Sequence, residues 1–373
     1  MFAAAGVWPL LAFLAAGADR TVREELAEAL GVPAGEAVEQ AAVRARDLLD
    51  VLGAVPGVGA AIGLWTRDDL LLEARWLAAV GAGTHERLTG DPAVDRDRLD
   101  AWADSRTDGM IRSMPLEPLR STRLVLAGAL TVRTRWQQAF RPSRHQAAAG
   151  PWAGRPLAAL HLDSSALFDR LAVAETAAGP VTEVRLPGDT DIDVHLVIGP
   201  AAAPLGAVLA AGLDLLDGRA VRTPAAALAH GDEWPGLTVR SADSAQPGDR
   251  LALTTVPFTV RTRHDLLQHA RLLGLRTASR VGSFTGITST EPLVVTQAAQ
   301  SATATFGGLG FEAGAVTAVG MSRGAAARRP GHRVTVADAV FDRPFAFLAV
   351  HRTSGLAIAA GWVGEPAEHE DVS

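Results

Sequence analysis

The 373-residue chain reads as an α+β protein. Three observations carry that reading. Amphipathic segments fill the first third, strand-like segments dominate from Arg123 onward, and no regular strand–helix–strand alternation or short repeat joins them. A doubly wound parallel sheet needs that alternation, so helices packed on mixed sheets is the class that remains. With 48% hydrophobic and 20% charged residues, the chain has the composition of a globular protein with a sizeable core.

The elements follow in order. Residues 10–16, 22–30 and 36–52 carry apolar side chains at helical spacing. The opening run, "MFAAAGVWPLLAFLAAG", lacks a basic leader and contains Pro9, and it is short and alanine-rich for a membrane span. It reads as a buried helix, with Asp19 and Thr21 as polar caps for the next one. Residues 57–65, "GVGAAIGLW", read as a buried strand, and 70–80 as a helix. Residues 94–111 are amphipathic, with Leu99 and Trp102 on one face. "RLVLAGALTV" is a strand, and "VTEVRLPG" and "IDVHLVIGP" pair around a Pro-Gly-Asp turn. Residues 201–229 read as an alanine-rich helix, "LALTTVPFTVRT" as a strand, and 263–275 as a helix. "LVVTQAAQSATATF", a glycine-rich segment and two closing strands, "PFAFLAVH" and "LAIAAGWVG", precede an acidic tail at 367–373.

Composition removes several chemistries. Cysteine, lysine, asparagine and tyrosine are all absent, the pattern of a GC-rich coding bias. Their absence excludes disulfides, thiolate nucleophiles, Schiff-base lysines and the P-loop lysine. A net charge of −6 with no basic, aromatic-interleaved run gives no reason to expect a nucleic-acid partner.

The motifs that remain are weak. Gly308-x-Gly310-x-x-x-Gly314 has nearly the spacing of a dinucleotide-binding turn, but the first acid beyond Glu312 is Asp338, too far along for the ribose. Gly57-x-Gly59-x-x-x-Gly63 follows Pro56 and runs on as an apolar strand. His264 and His269 fall on the predicted helix 263–275 at a spacing that does not share a face, and they read as surface histidines. Asp189, Asp191 and Asp193 alternate on a hairpin and read as solvent-facing, with too few ligands for calcium. No G-x-S-x-G elbow is present. No catalytic centre, metal site or cofactor emerges.

Several segments together resemble one family, the serpins. "TRLVLAGALTVRTRWQQAF" is similar to the family's central strand and its Trp-x-x-x-Phe turn, "VPFTVRTRHDLLQHARLLGLRTASRVGSFTGITSTEPLVVTQAAQ" to the segment leading into the reactive loop, and "VFDRPFAFLAVHRTSGLAIAAGWVGEP" to the C-terminal signature. "AWADSRTDGMI" resembles the end of the helix that crosses the main sheet. The order holds throughout, and the resemblance implies a single serpin-like domain, 1–366, with a reactive-centre loop at about 308–333.

On that resemblance the glycine segment becomes the hinge of the reactive loop: Gly310, Phe311, Glu312, Ala313, Gly314, Ala315, Val316, Thr317 and Ala318. Small residues suit a segment that slides into a sheet as a new strand, the strand-insertion behaviour for which serpins are a standard example. The scissile bond falls at Arg323–Gly324, with Arg328 and Arg329 in reserve, and Arg323 suits a trypsin-like pocket with a carboxylate at its base. Trp136 stands at the breach near the top of the sheet. Three departures are visible. Phe311 occupies the first inward-facing position, where the family carries a small hydroxyl residue. The cluster that controls sheet opening falls on Ala3, Gly6, Gly128 and Gln300 and reads as apolar. The chain also begins where the family's first long helix has already ended.

The resemblance implies a monomeric suicide inhibitor of a trypsin-like serine protease: not an enzyme, without cofactor, and with no nucleic-acid or membrane partner. Two alternatives stand beside it: a non-inhibitory scaffold of the same fold, motivated by Phe311 and the altered cluster, and a nucleotide-dependent enzyme using Gly308 to Gly314.

Overall fold

The computed structural model describes residues 1–33, 35–280, 284–311 and 331–366. Along the chain run α1 (Ala4–Ala16), α2 (Arg20–Leu30), α3 (Glu36–Ala54), β1 (Val58–Arg67), α4 (Ala74–Val80), β2 (His85–Leu88), α5 (Pro92–Arg106) and β3 (Leu124–Val132). Then come β4 (Thr134–Arg135), β5 (Arg141–Gln146), β6 (Pro156–Ser164), β7 (Leu171–Thr176), β8 (Gly179–Pro187), β9 (Ile192–Ile198) and α6 (Leu205–Leu216). Thereafter only strands and single turns of 3-10 helix occur among the described residues: β10 (Thr223–Pro224), β11 (Glu233–Trp234), β12 (Leu237–Ser244), β13 (Arg250–Thr255), β14 (Phe258–Asp265), β15 (Gln297–Phe306), β16 (Gly310–Phe311), β17 (His332–Val340), β18 (Phe345–His351) and β19 (Leu356–Val363). Helices lead and strands follow, as the α+β reading expects.

Contacts group these elements into two compact units, one of residues 2–132 and 261–303, the other of residue 1, 133–260 and 304 onward. In the first, α1 is apolar on every face and buried from Leu10 to Ala15, the signature of a core helix. Its sheet has the order β2-β1-β3-β15: β1 is antiparallel to β3, and β3 is parallel to β15 over residues 125–131 and 297–303. All nine residues of β3 are buried, which is why it reads as a continuous apolar run and not as an alternation. α5 starts where Asp91 accepts from the Ala93 and Val94 amides with Pro92 at the first helical position, and it turns Leu99 and Trp102 inward.

The second unit holds two six-stranded sheets, β10-β7-β8-β9-β18-β19 and β11-β12-β17-β13-β6-β5. β17 lies inside its sheet, antiparallel to β12 over residues 332–339 and parallel to β13 over 336–340. The Arg240–Asp338 ion pair and the Arg333–Ser241 hydrogen bond tie it further to β12.

Four expectations are corrected. Residues 263–265 belong to β14, and only Leu266–His269 make a single 3-10 turn, so His264 and His269 share no helix. The apolar residues of 263–275 do not form one buried stripe: Leu266 and Leu275 are buried while Leu272 is exposed. The alanine-rich helix is confined to Leu205–Leu216, because Pro204 bounds its start and Gly218, at φ 72°, follows its end. Helix 70–80 starts only at Ala74. Asp193 is buried, because β9 is paired by β8 and β18 and all seven of its residues are covered.

Candidate functional site

The hinge called from the sequence starts at the end of β15, within the second unit. β15 stops at Phe306, the chain turns through Gly307, Gly308 and Leu309, and Gly310–Phe311 returns as β16. β16 is antiparallel to β15 through Phe306↔Phe311 on one edge, and antiparallel to β4 through Gly310↔Arg135 and Phe311↔Thr134 on the other. It is therefore a two-residue strand seated between two walls. Gly310 is required there, since a Cβ would run into the backbone of Thr134 and Arg135.

Each backbone carbonyl of the turn has a donor. The Trp136 indole N–H donates to the Gly307 carbonyl (2.8 Å), the Trp136 amide to Leu309 (2.9 Å), and the Phe140 amide to Gly308 (2.8 Å). The Gly307 amide closes the turn on the Gly310 carbonyl at 2.8 Å. These bonds explain the spacing of Trp136 and Phe140: both lock the same three residues. The rings also pack, with Trp136 4.9 Å and Phe140 5.7 Å from Phe306 between centroids. Phe311 is fully buried, 5.9 Å from Phe347, which in turn lies 5.0 Å from Phe258. The Phe311 ring is thus seated on an aromatic floor.

This geometry does not suit a dinucleotide. The strand before the glycines is followed by another strand at Gly310–Phe311, not by a helix N-terminus, and the turn's carbonyls are committed to Trp136 and Phe140. Among the described residues no group of histidine, aspartate and glutamate side chains is arranged to hold a metal, and no helix is long and apolar enough to cross a membrane. Glu312, Ala313, Gly314, Ala315, Val316, Thr317, Ala318, Arg323 and Gly324 lie outside the described residues.

In the first unit, Ala3, Gly6, Gly128 and Gln300 come together. The Gln300 side chain donates to the Ala3 carbonyl (2.7 Å) and accepts from the Ala3 amide (3.1 Å), all of it buried. Gly6 packs against Gln300, and its carbonyl faces Gly128. The cluster is not purely apolar: one amide side chain satisfies both polar groups of one buried backbone residue.

The three alternating aspartates have separate partners. Asp189 bonds the backbone of Arg135, Asp191 lies 3.0 Å from His351, and Asp193 receives the Arg352 guanidinium at 2.7 Å. The hydrogen bond that the Arg352 guanidinium donates to Asp193 holds its pKa above the ordinary range.

The arrangement of sheets with a strand-turn leading into a long segment and back to β17 defines the serpin fold. Solved structures carry the likeness across nearly the whole chain. Native protease nexin-1 with heparin matches at a TM-score of 0.69 and 19% identity, covering 98% of this chain and 92% of that one. A serpin from the trematode Schistosoma haematobium matches at 0.68 and 16%, covering 98% and 93%, and Serpin48 of the insect Tenebrio molitor at 0.66 and 17%, covering 97% and 90%. In sequence, the family model for Serpin (serine protease inhibitor) matches residues 1–149. Putative serpin-Z12 of Oryza sativa subsp. japonica is 26% identical over 372 residues, 95% of this chain and 82% of the relative. Serpin-Z2A of the same plant is 28% identical over 151 residues, 38% of this chain and 35% of that protein. The chain thus has the serpin fold, and over residues 1–149 its sequence is similar to the serpin family model.

Proposed function

We propose that the chain is a suicide inhibitor of a trypsin-like serine protease, acting through cleavage near Arg323–Gly324 and insertion of the freed loop as a strand. One observation carries the reading: Gly310–Phe311 is already seated as a strand, and its register matches that of the strands it would lengthen into. Phe311 pairs with Phe306 and Thr134, which are 172 positions apart in sequence. The parallel pair β3 and β15 has the same offset, Val125 with Gln297 and Thr131 with Thr303. A strand growing from β16 between those two partners needs no slip. A strand extended from Phe311 would carry Ala313, Ala315 and Thr317 on the same face as Phe311. Those three side chains are small, and no aromatic residue follows between Phe311 and Arg323, so insertion beyond the first rung meets no second bulky ring.

The protein contributes no catalytic group in this account. The protease attacks the loop as a substrate, and strand insertion then competes with hydrolysis of the acyl-enzyme. Arg323 recommends a pocket with a carboxylate at its base.

A second reading, a scaffold that is cleaved without trapping, is supported by the Gln300–Ala3 link, which holds β15 to the first residues of the chain through two buried hydrogen bonds. Incubation with trypsin separates the two. The inhibitory reading expects a covalent complex that survives SDS, with protease joined to the fragment ending at Arg323. Complete loop cleavage with no such complex overturns it in favour of the scaffold.

A further inference from the structure

We propose that Asp189 is a positioning residue for loop insertion: it fixes β4, one wall of the seat that β16 occupies. The inference rests on the inhibitory reading above. β4 is two residues long, and a strand that short has no position of its own; its edges set it. One edge pairs with β16. The other is held by the β8–β9 turn. The Asp189 amide donates to the Arg135 carbonyl (2.8 Å), the Arg135 amide donates back to Asp189 Oδ1 (3.0 Å), and the Thr134 hydroxyl donates to the same Oδ1 at 3.3 Å. Thr190 adds a hydroxyl bond to Thr134 Oγ1 at 2.8 Å.

The turn is itself braced. The Arg352 guanidinium donates to the carbonyls of Gly188 (3.0 Å) and Thr190 (3.1 Å) while paired with buried Asp193. Gln137 reaches the Gly188 carbonyl at 3.1 Å, and its amide bonds Pro187 at 3.2 Å. Gly188 permits the close approach, since a Cβ there would collide with Thr134 Oγ1 and the Ile192 carbonyl. Thr134 is the residue opposite Phe311, so the carboxylate of Asp189 acts on the hinge through a single intervening residue. Asp189 is exposed and makes no contribution to a core, which leaves this bonding as its structural consequence.

The test compares Asp189→Ala, Asp189→Asn and Thr190→Val in the full chain. Two quantities are read at a temperature well below melting: hydrogen exchange at the Trp136 and Phe311 amides of the uncleaved protein, and the ratio of cleaved product to SDS-stable complex after trypsin. Asp189→Ala is expected to raise exchange at both amides and the ratio by about tenfold, as loss of one to two backbone-directed hydrogen bonds implies. Asp189→Asn keeps the acceptor oxygen and is expected to restore both toward wild type, and Thr190→Val to fall between. A merely structural role lowers the melting temperature but leaves the ratio alone. Unchanged exchange and ratio in folded Asp189→Ala overturn the proposal. Wild-type protein giving neither complex nor a thermal gain on cleavage overturns the inhibitory reading instead, and the exchange data still decide whether Asp189 fixes β4.

Discussion

Buried Glu183 and half-buried His85 show how single groups set the pH range of this fold. Burial pushes the Glu183 carboxyl up, but hydrogen bonds from His195 (2.8 Å) and Arg222 (2.6 Å) outweigh it and hold the group at about 2. Its contribution is present above the ordinary carboxylate range and is lost as pH falls toward 2. His85 works in a higher window. Burial, then the neighbouring Arg87, lowers its imidazole to about 4, and it stays neutral beside Thr66 Oγ1 at 2.8 Å and the Trp76 ring. The unfolded chain binds that proton first, so stability falls as pH drops from about 6.5 to 4. Melting curves across this range should decline in wild type and flatten between pH 6.5 and 4 in His85→Gln. Glu183→Gln should cost roughly 3 kcal/mol at neutral pH by leaving Arg222 unpaired. An undiminished slope in His85→Gln contradicts the assignment. Neither group is readable from sequence: both depend on partners that only the fold brings within reach.

At the level of elements, the strands on either side of residues 312–330 are held very differently. β17 is flanked on both edges, by eight residues of β12 and five of β13, while β16 has one pair with β15 and two with β4. β16 is the more weakly held of the two, the strand the proposed insertion would lengthen, and the buried Phe311 is its anchor. Burying a phenylalanine side chain is worth about 1.5–3 kcal/mol, so Phe311→Ser should lower the stability of the uncleaved protein by roughly 2 kcal/mol in denaturant and raise exchange at the Trp136 amide. Equal stability would mean that the ring does not hold the seat. The sequence exposed part of this arrangement. Gly310, Trp136 and Phe140 stood out because a close backbone approach and large rings leave a trace in residue type. The β8–β9 turn was legible as a turn, but its hold on β4 was not, because the bonds of Asp189 and Thr190 reach residues 54 to 56 positions away. Asp193 read as solvent-facing because alternation was taken for a one-sided strand, whereas β9 is covered on both faces. Residues 263–275 read as helix because leucines recur at helical spacing, yet Leu272 is exposed and β14 already claims the first three residues.

For the molecule as a whole, the α+β class and the order of helices before strands were legible, since apolar periodicity survives even in an alanine-rich, lysine-free sequence. The hairpin of β11 and β12 was not. Only Leu237 and Val239 alternate into the core there, too short a pattern to separate from a loop. The proposed function depends on a property that no single site holds: a lower-energy arrangement open to the cut loop and closed to the intact one. In that proposal β16, held between β15 and β4, is the strand that lengthens. The measurement that meets this claim most directly is the melting temperature of loop-cleaved protein against intact protein under identical buffer. The account predicts a rise of roughly 10 °C or more, about 8 kcal/mol for a chain of this size. A cleaved protein that melts at or below the intact one contradicts it.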